Sequence, residues 1–498
     1  MTAHPDAQAH TPAHSTPSTP STPGHSAPQH PHGDPHPRRW TALALICAAQ
    51  FMLILDVTVV NVALPALSAD LDLGRTALTW VVTAYTLCFG GLMLLGGRLA
   101  DALGARRVLL AGLALFTTAS LVCGLAANAP VLLGGRIAQG IGAALLSPAA
   151  LALVTTAFHG AERAKALGAW AAIGGTGSAV GVLLGGALTE GPGWPWVFYV
   201  NVPVGLALLA ALPRVLPADT AARSRTHPRL DVPGALLVTT ATGALVYGLV
   251  QAGDSGWASA ATLLPLLGAL ALYGVFAAVE RASSAPLMDL RMLKRRPVVA
   301  GSLLMLVATA LLISFFFLGS MQLQHVYGLG ALRTGLLFLP IALTTAIGAH
   351  LGSRLVTTAG PRACATGGLA LAALGCLPLT FLTPGANPWA TLLPALATAS
   401  FGLGAVFVAA TTTSLGLIAP HEAGLASGIV NTFHEVGGSI GIAAVSTLAL
   451  TATTEATPTG FTAAFTLCTA AAAAAALAAP FLIPRGTPRP TGGPHGMH

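Results

Sequence analysis

About fourteen apolar runs follow one another along this chain, each near the ~20 residues that a helix needs to cross a bilayer. They decide the solvent before anything else is asked. In hydrocarbon every backbone N–H and C=O must be bonded inside the protein, so only helices and closed barrels span. Runs of this length are helices. The expected spans are 41–66, 77–97, 107–126, 131–153, 166–188, 196–216, 233–252, 261–280, 298–320, 335–356, 363–382, 391–414, 425–450 and 461–483. Hydrophobic residues make up 54% of the sequence and charged ones 8%. Mean hydropathy is +0.75, too high for an aqueous fold to hide the apolar surface. The predicted class is an all-α integral membrane protein lying in the lipid bilayer.

A formal charge of +7 could point to nucleic acid. Its placement argues otherwise. With the N-terminus inside, one set of alternate connections carries Arg38, Arg39, Arg98, Arg106, Arg107, Arg163, Lys165 and most of the later arginines. The other set carries Arg75 and Arg333, and Arg136 lies within a span. That asymmetry is the positive-inside pattern of a multi-pass protein of the cell membrane with both termini cytoplasmic. No nucleic-acid partner is expected, and the chain is expected to act as a monomer.

Residues 1–37 are rich in His, Pro, Ser and Thr and hold no apolar run, so they read as a disordered tail rather than a secretory signal. Their histidines could bind a transition metal loosely, but a solvated tail is the simpler reading, and no metal site is assigned. The six cysteines fall within expected helices and form no CxxC pair, which suits small packing residues. The lysines, Lys165 and Lys294, follow Ala164 and Leu293, so neither completes a phosphate-cradling loop. The expected energy source is then an ion gradient, downhill flow of the substrate or a separate subunit, and no cofactor is expected. Gly437 to Gly441 spell GxSxG, but in mid-helix rather than at a strand-to-helix turn. His421-Glu422 and His434-Glu435 lack the second His of a zinc-protease motif. No enzyme activity is expected.

The two halves of the chain echo each other. GRLADALGAR (97–106) aligns with SRLVTTAGPR (353–362), Arg75-Thr76 with Arg333-Thr334, and Glu162–Gly181 with Glu422–Gly441, all at nearly one offset. The expected organisation is a tail (1–37), a six-helix half (38–216), two inserted helices with their loops (217–296), a second six-helix half (297–484) and a short tail (485–498). Repeated halves of this kind frame a substrate site near the midplane.

Ionisable residues inside spans are the strongest functional signal, because an Asp at a helix centre costs roughly 2.5–3.5 kcal/mol on insertion scales. Asp56 lies about nine residues and Arg136 about five from the outer ends of their spans, which puts both at broadly similar depth. They could form a proton-linked pair, or a fixed ion pair that only ties two helices together. Glu435, near the middle of span 13, could take a proton or attract a cation, or be satisfied by a neighbouring helix. Gly177, Gly181, Gly185 and Gly186 stripe span 5 for close helix approach. Gly97, Asp101, Gly104 and Arg106 surround a tight turn between spans 2 and 3, where Asp101 could pair in one conformation only.

The chain resembles the major facilitator superfamily, in its 14-helix drug:proton antiporter branch. The resemblance runs over about 40–483 and rests on LDVTVVNVALP (55–65), TWVVTAYTL (79–87), GRLADALGARR (97–107), RIAQGIGAALLSP (136–148), WPWVFYVNVPVG (194–205), RLDVPGALL (229–237), QHVYGLGALRTGLLFLP (324–340) and GLASGIVNTFHEVGGSIG (424–441). It implies export of amphipathic or cationic small molecules in exchange for protons. Asp56 and Arg136 match residues linked to coupling. Gly97, Asp101, Gly104 and Arg106 match the inner gate motif, and Gly181, Gly185 and Gly186 match the antiporter motif. The chain departs from the pattern at Val182, where Pro is usual, at Pro195, where Arg is usual, and at His434-Glu435, where Arg-Gln is common. Asn61, Trp80, Tyr85 and Gln324 are candidate substrate contacts from their helix positions, with packing as the competing role. A dedicated exporter of one metabolite or self-made antibiotic, and a non-transporting membrane sensor, remain alternatives.

Overall fold

The computed structural model describes residues 38–158, 160–217, 231–283, 286, 292–381, 387, 389–415, 423–449 and 458–484. The expected tails, Glu422 and the loop 218–230 lie outside these. Among the described residues there is no strand. The helices are α1 (Arg39–Asp70), α2 (Arg75–Leu103), α3 (Ala105–Gly124), α4 (Ala129–Ala157), α5 (Gly160–Glu190), α6 (Trp196–Tyr199) and α7 (Asn201–Val215). They continue with α8 (Val232–Ser255), α9 (Ala260–Ala282), α10 (Arg296–Met321), α11 (Ala331–Cys376), α12 (Leu392–Leu415), α13 (Ala423–Ala449) and α14 (Pro458–Leu482). The expected spans fall on helices, except that 196–216 is divided between α6 and α7, 335–356 and 363–382 share α11, and some, 107–126 on α3 among them, run slightly past a helix end.

Eleven of the described helical stretches are long and apolar enough to cross a membrane. The longest, Ala331–Phe381, is two helices run together, because Gly360 at φ +86° breaks α11. Gly104, at φ +99°, makes the same turn between α2 and α3. These glycines hold equivalent places in the 97–106 and 353–362 echo, in a backbone region that a side chain rarely tolerates. α5 and α13, of 31 and 27 residues, are further long helices. Local signals set several starts. Asn128, Asp231 and Ser259 each accept a backbone N–H of the first turn of α4, α8 and α9, satisfying a donor that the helix itself cannot.

Within the first half α1 packs on α5, and α4 packs on α2 and α3. Within the second, α11 packs on α12 and α10 packs on α12 and α13. The halves meet where α2 lies against α13 and α5 against α11. The inserted α8 lies against both α2 and α13, with α9 outside it. α9 turns Leu263, Leu264, Leu267 and Leu270 outward, as a lipid-facing helix would.

Candidate functional site

Three polar constellations stand out in this apolar body. The first is a buried charge network in the first half. Asp56 and Arg136 are fully buried. Arg136 Nη1 donates to Asp56 Oδ2 at 2.5 Å and to Gln139 Oε1 at 2.9 Å, and its Nε donates to the Val81 carbonyl at 2.8 Å. The other carboxylate oxygen of Asp56 accepts from Gln139 Nε2 at 3.0 Å and Asn201 Nδ2 at 3.2 Å. Gln139 also donates to Ser120 Oγ. The Arg136 guanidinium sits 4.4 Å from the centre of the Tyr85 ring. Arg136 and Gln139, three apart on α4, face the same way. One cluster thus joins α1, α2, α3, α4 and α7. Buried charges are tolerable when paired and hydrogen-bonded in this fashion, because the desolvation cost is then offset locally. The depth argument places Asp56 beside Arg136 correctly. Sequence reasoning missed Gln139 and Asn201, though an amide one turn from an intramembrane Arg is a readable signal.

The second is a cavity of about 950 Å³ between the halves. Its walls come from α1, α2, α4 and α5 on one side and α10, α11, α12 and α13 on the other. They are mostly apolar and aromatic, with Phe89, Trp170, Phe316 and Phe407 among them. Most of its polar groups are hydroxyls and amides, Gln50, Thr58, Thr86, Thr309 and Asn431 among them; the charged or ionisable ones are His434 and Glu435 deeper in and Arg98 and Asp101 at the arginine-rich end. Gly97 lines the cavity there too. Glu435 is 15% exposed, with Oε1 3.9 Å from His434 Nε2. His434 Nδ1 is 2.8 Å from Thr309 Oγ1, which steadies the ring. At Glu435 α2 comes very close: a Cβ added at Gly90 would lie 2.5 Å from that of Glu435. Asp56 and Arg136 do not line this cavity, so the acid deep within it is Glu435, with Asp101 at its mouth.

The third constellation closes the opposite end. Ser320 Oγ donates to the Asn61 carbonyl at 2.9 Å, and Gln324 Nε2 donates to the Val62 carbonyl at 3.0 Å. The Leu332 N–H, in the first turn of α11, donates to Glu190 Oε2 at 2.8 Å. The glycine stripe fits tightly here. Gly185 abuts Val59, and a Cβ at Gly186 would stand 2.6 Å from the Ala331 carbonyl oxygen. Higher up α5, Gly177 meets Ile54 and Phe51, and Gly181 meets Thr58, all on α1. Val182 is buried and presents its carbonyl to Gly335 of α11. At the arginine-rich end Arg106 Nη2 donates to the Pro213 carbonyl at 2.6 Å, and Arg98 Nη2 donates to that of Pro286 at 2.8 Å. Asp101 is exposed at the cavity mouth.

The four candidate substrate contacts lie away from this cavity. Asn61 is buried and donates to the Val57 carbonyl within its own helix. Tyr85 is buried under Arg136. Trp80 packs with Val246, Val250 and Ala443, and Gln324 serves the closed end. None of the four lines the central cavity. Position along a helix gave their depth, but the direction in which each points is set by helix packing.

A membrane-embedded bundle of two repeated halves, with a large cavity between them lined toward the arginine-rich end, is the architecture of a secondary transporter. The chain belongs to the Major Facilitator Superfamily, whose profile matches residues 46–442. It is 40% identical to the puromycin resistance protein pur8 of Streptomyces alboniger over 84% of this chain and 83% of that one. It is 38% identical to the cephamycin export protein CmcT of Amycolatopsis lactamdurans over 82% and 84%. Against the multidrug resistance protein Stp of Mycobacterium tuberculosis the identity is 36%, over 80% and 73%. Among solved structures, the peptide transporter POT in complex with sulfate matches with a TM-score of 0.62 at 17% identity, covering 89% of this chain and 95% of that one. A bacterial homolog of the human lysosomal transporter Spinster, in an inward-facing and unoccupied conformation, matches with a TM-score of 0.59 at 17% identity, covering 90% and 98%. At these identities the solved structures speak for the fold alone.

Proposed function

We propose that the chain is a proton-coupled exporter of amphipathic or cationic antibiotics in the cytoplasmic membrane, with both termini inside. Fourteen crossings follow when α11 is counted as two helices and α5 and α13 are included. The observation that carries the reading is Glu435, an acid opening into a largely apolar cavity of about 950 Å³. Such a volume suits a drug-sized molecule, and so does a wall of aromatic groups with few polar ones. The relatives support the cargo class, since their names refer to puromycin, cephamycin and multidrug resistance.

The chemistry is competition for one carboxylate. A charged Glu435 attracts a cationic substrate that enters from the arginine-rich, cytoplasmic end. A proton on the same group removes that attraction and releases the cargo. Substrate and proton therefore occupy the site in turn, which is exchange. Asp56 acts at a second level. It is sealed from the cavity, and a proton on it would weaken its hold on Arg136 and loosen α1 from α4. That change biases how the halves pack. In this conformation the cavity meets the cytoplasm, with Gly97, Arg98 and Asp101 at its entrance.

The test is flux in proteoliposomes with an imposed pH gradient, using ethidium as the cation. Gradient-driven uptake into inside-out vesicles by the native chain, lost in Glu435→Gln and Asp56→Asn, is the expected result. Undiminished flux in Glu435→Gln would remove the cavity acid from the mechanism. A second reading, a dedicated exporter of one compound, is favoured by relatives named for single antibiotics. A susceptibility panel in a sensitive host separates them: protection against one chemical class only supports the dedicated exporter.

A further inference from the structure

Pro65 sits inside α1, and a proline there has no N–H to give to the carbonyl four residues earlier. That carbonyl belongs to Asn61. It lies within the apolar body, where an unmatched polar group is costly. The group that takes it comes from the other half of the molecule. Ser320 Oγ, fully buried on α10, donates to it at 2.9 Å. Gln324 Nε2 donates to Ser320 Oγ at 2.9 Å and to the next carbonyl of α1, that of Val62, at 3.0 Å. Gln324 reaches both because the chain from Gln322 to Val326 widens from an α-helix into a π-helix. Such bulges re-aim side chains and recur at functional sites. Beside this contact, Glu190 of α5 accepts the Leu332 N–H at the start of α11. A hollow of about 330 Å³ next to them is lined by Pro65, Glu190, Gln324 and His325.

We infer that Pro65, Ser320 and Gln324 form a latch that holds the end opposite the arginine-rich loops shut, by filling from α10 a carbonyl that the proline strips of its helical partner. The latch exists only while α1 and α10 touch. When that end opens, Asn61 loses Ser320, and water entering the opened cleft takes its place. The carbonyl is thus satisfied in either state but not during a dry separation, so the contact sets both the resting balance and the barrier to opening. Cargo leaves past this point, which makes Ser320 and Gln324 positioning residues of the exit. The inference stands whatever the cargo and whatever drives it.

The test uses the full chain in lipid nanodiscs, with Cys47 and Cys88 replaced by Ser. Spin labels at Ala69→Cys and Arg333→Cys, both exposed at that end, report its opening by pulsed electron resonance. The double variant Ser320→Ala/Gln324→Ala should raise the open-to-closed ratio about five-fold or more, as expected for two lost hydrogen bonds. Ser320→Thr keeps the hydroxyl and should leave the native distances. In a Pro65→Ala background, where the helix supplies its own N–H, the effect of Ser320→Ala should shrink markedly. Native-like distances in the double variant would overturn the latch. So would a Ser320→Ala effect of equal size with and without Pro65.

Discussion

Arg136 shows what a single side chain costs and contributes in this environment. Its charge is matched by Asp56, its spare donors by Gln139 and Val81, and its flat face by Tyr85. Arg136→Ala leaves Asp56 buried without its counter-charge and should lower stability by about 3–5 kcal/mol, the usual cost of breaking a buried pair from one side. Asp56→Asn should cost less, because its amide oxygen can still accept from Arg136. Unfolding titrations in detergent check both, and an equal loss in Asp56→Asn would show that the charge, rather than the retained hydrogen bond, is what holds Arg136. The pair was legible in the sequence, since rare intramembrane charges at matched depth have few other partners. That Asn61 and Tyr85 turn away from the cavity was not legible. Their helices are apolar on nearly every side, so periodicity does not tell a face turned to a cavity from one turned to a neighbouring helix.

Helices pass each other here at the distance that glycine allows. Gly177 and Gly186 belong to one stripe in sequence, yet they meet different obstacles. A Cβ at Gly177 would press on the branched Ile54 side chain at 2.9 Å, which must shift but is not backbone. One at Gly186 would press on the backbone of Ala331 at 2.6 Å, which cannot without moving α11. Gly186→Ala should therefore cost about 1–3 kcal/mol of packing and favour the state in which α5 and α11 separate, whereas Gly177→Ala should cost less and leave that balance unchanged, since its neighbour is a side chain of α1. The Ala69/Arg333 label pair reads the shift directly. Gly104→Ala and Gly360→Ala should each lose about 1–3 kcal/mol, since both glycines hold backbone angles that a side chain resists. Thermal unfolding of the two variants should show similar losses, as the repeat implies. The stripe and the turn glycines were readable from spacing and from the echo between halves. Which neighbour each glycine admits was not, because that depends on the arrangement of helices far apart in sequence.

At the scale of the whole molecule the question is how exchange is driven. One proton moving in for one monovalent cation moving out carries no net charge. A pH gradient then drives it, and voltage does not. An uncharged cargo would change this, for each proton would then carry charge worth roughly 2.3 kcal/mol per 100 mV. Ethidium flux in proteoliposomes should therefore follow an imposed pH difference and ignore a potassium diffusion potential. Flux that follows voltage alone would mean a different stoichiometry. The two-halved plan and the site's midplane position were legible in the repeat. The large cavity, its position toward the arginine-rich end and the placing of Glu435 rather than Asp56 on its wall needed the packed structure.

The central claim is that cargo and proton take turns on the Glu435 carboxylate, and proton counting tests it most directly. Ethidium is added to the purified transporter in weakly buffered detergent solution with a pH indicator, across a range of starting pH. The native chain should release protons on binding within the range where Glu435 is protonated at rest, and Glu435→Gln should bind ethidium weakly and release none. Binding by the native chain with no proton release at any pH, or equal release by Glu435→Gln, would contradict the account.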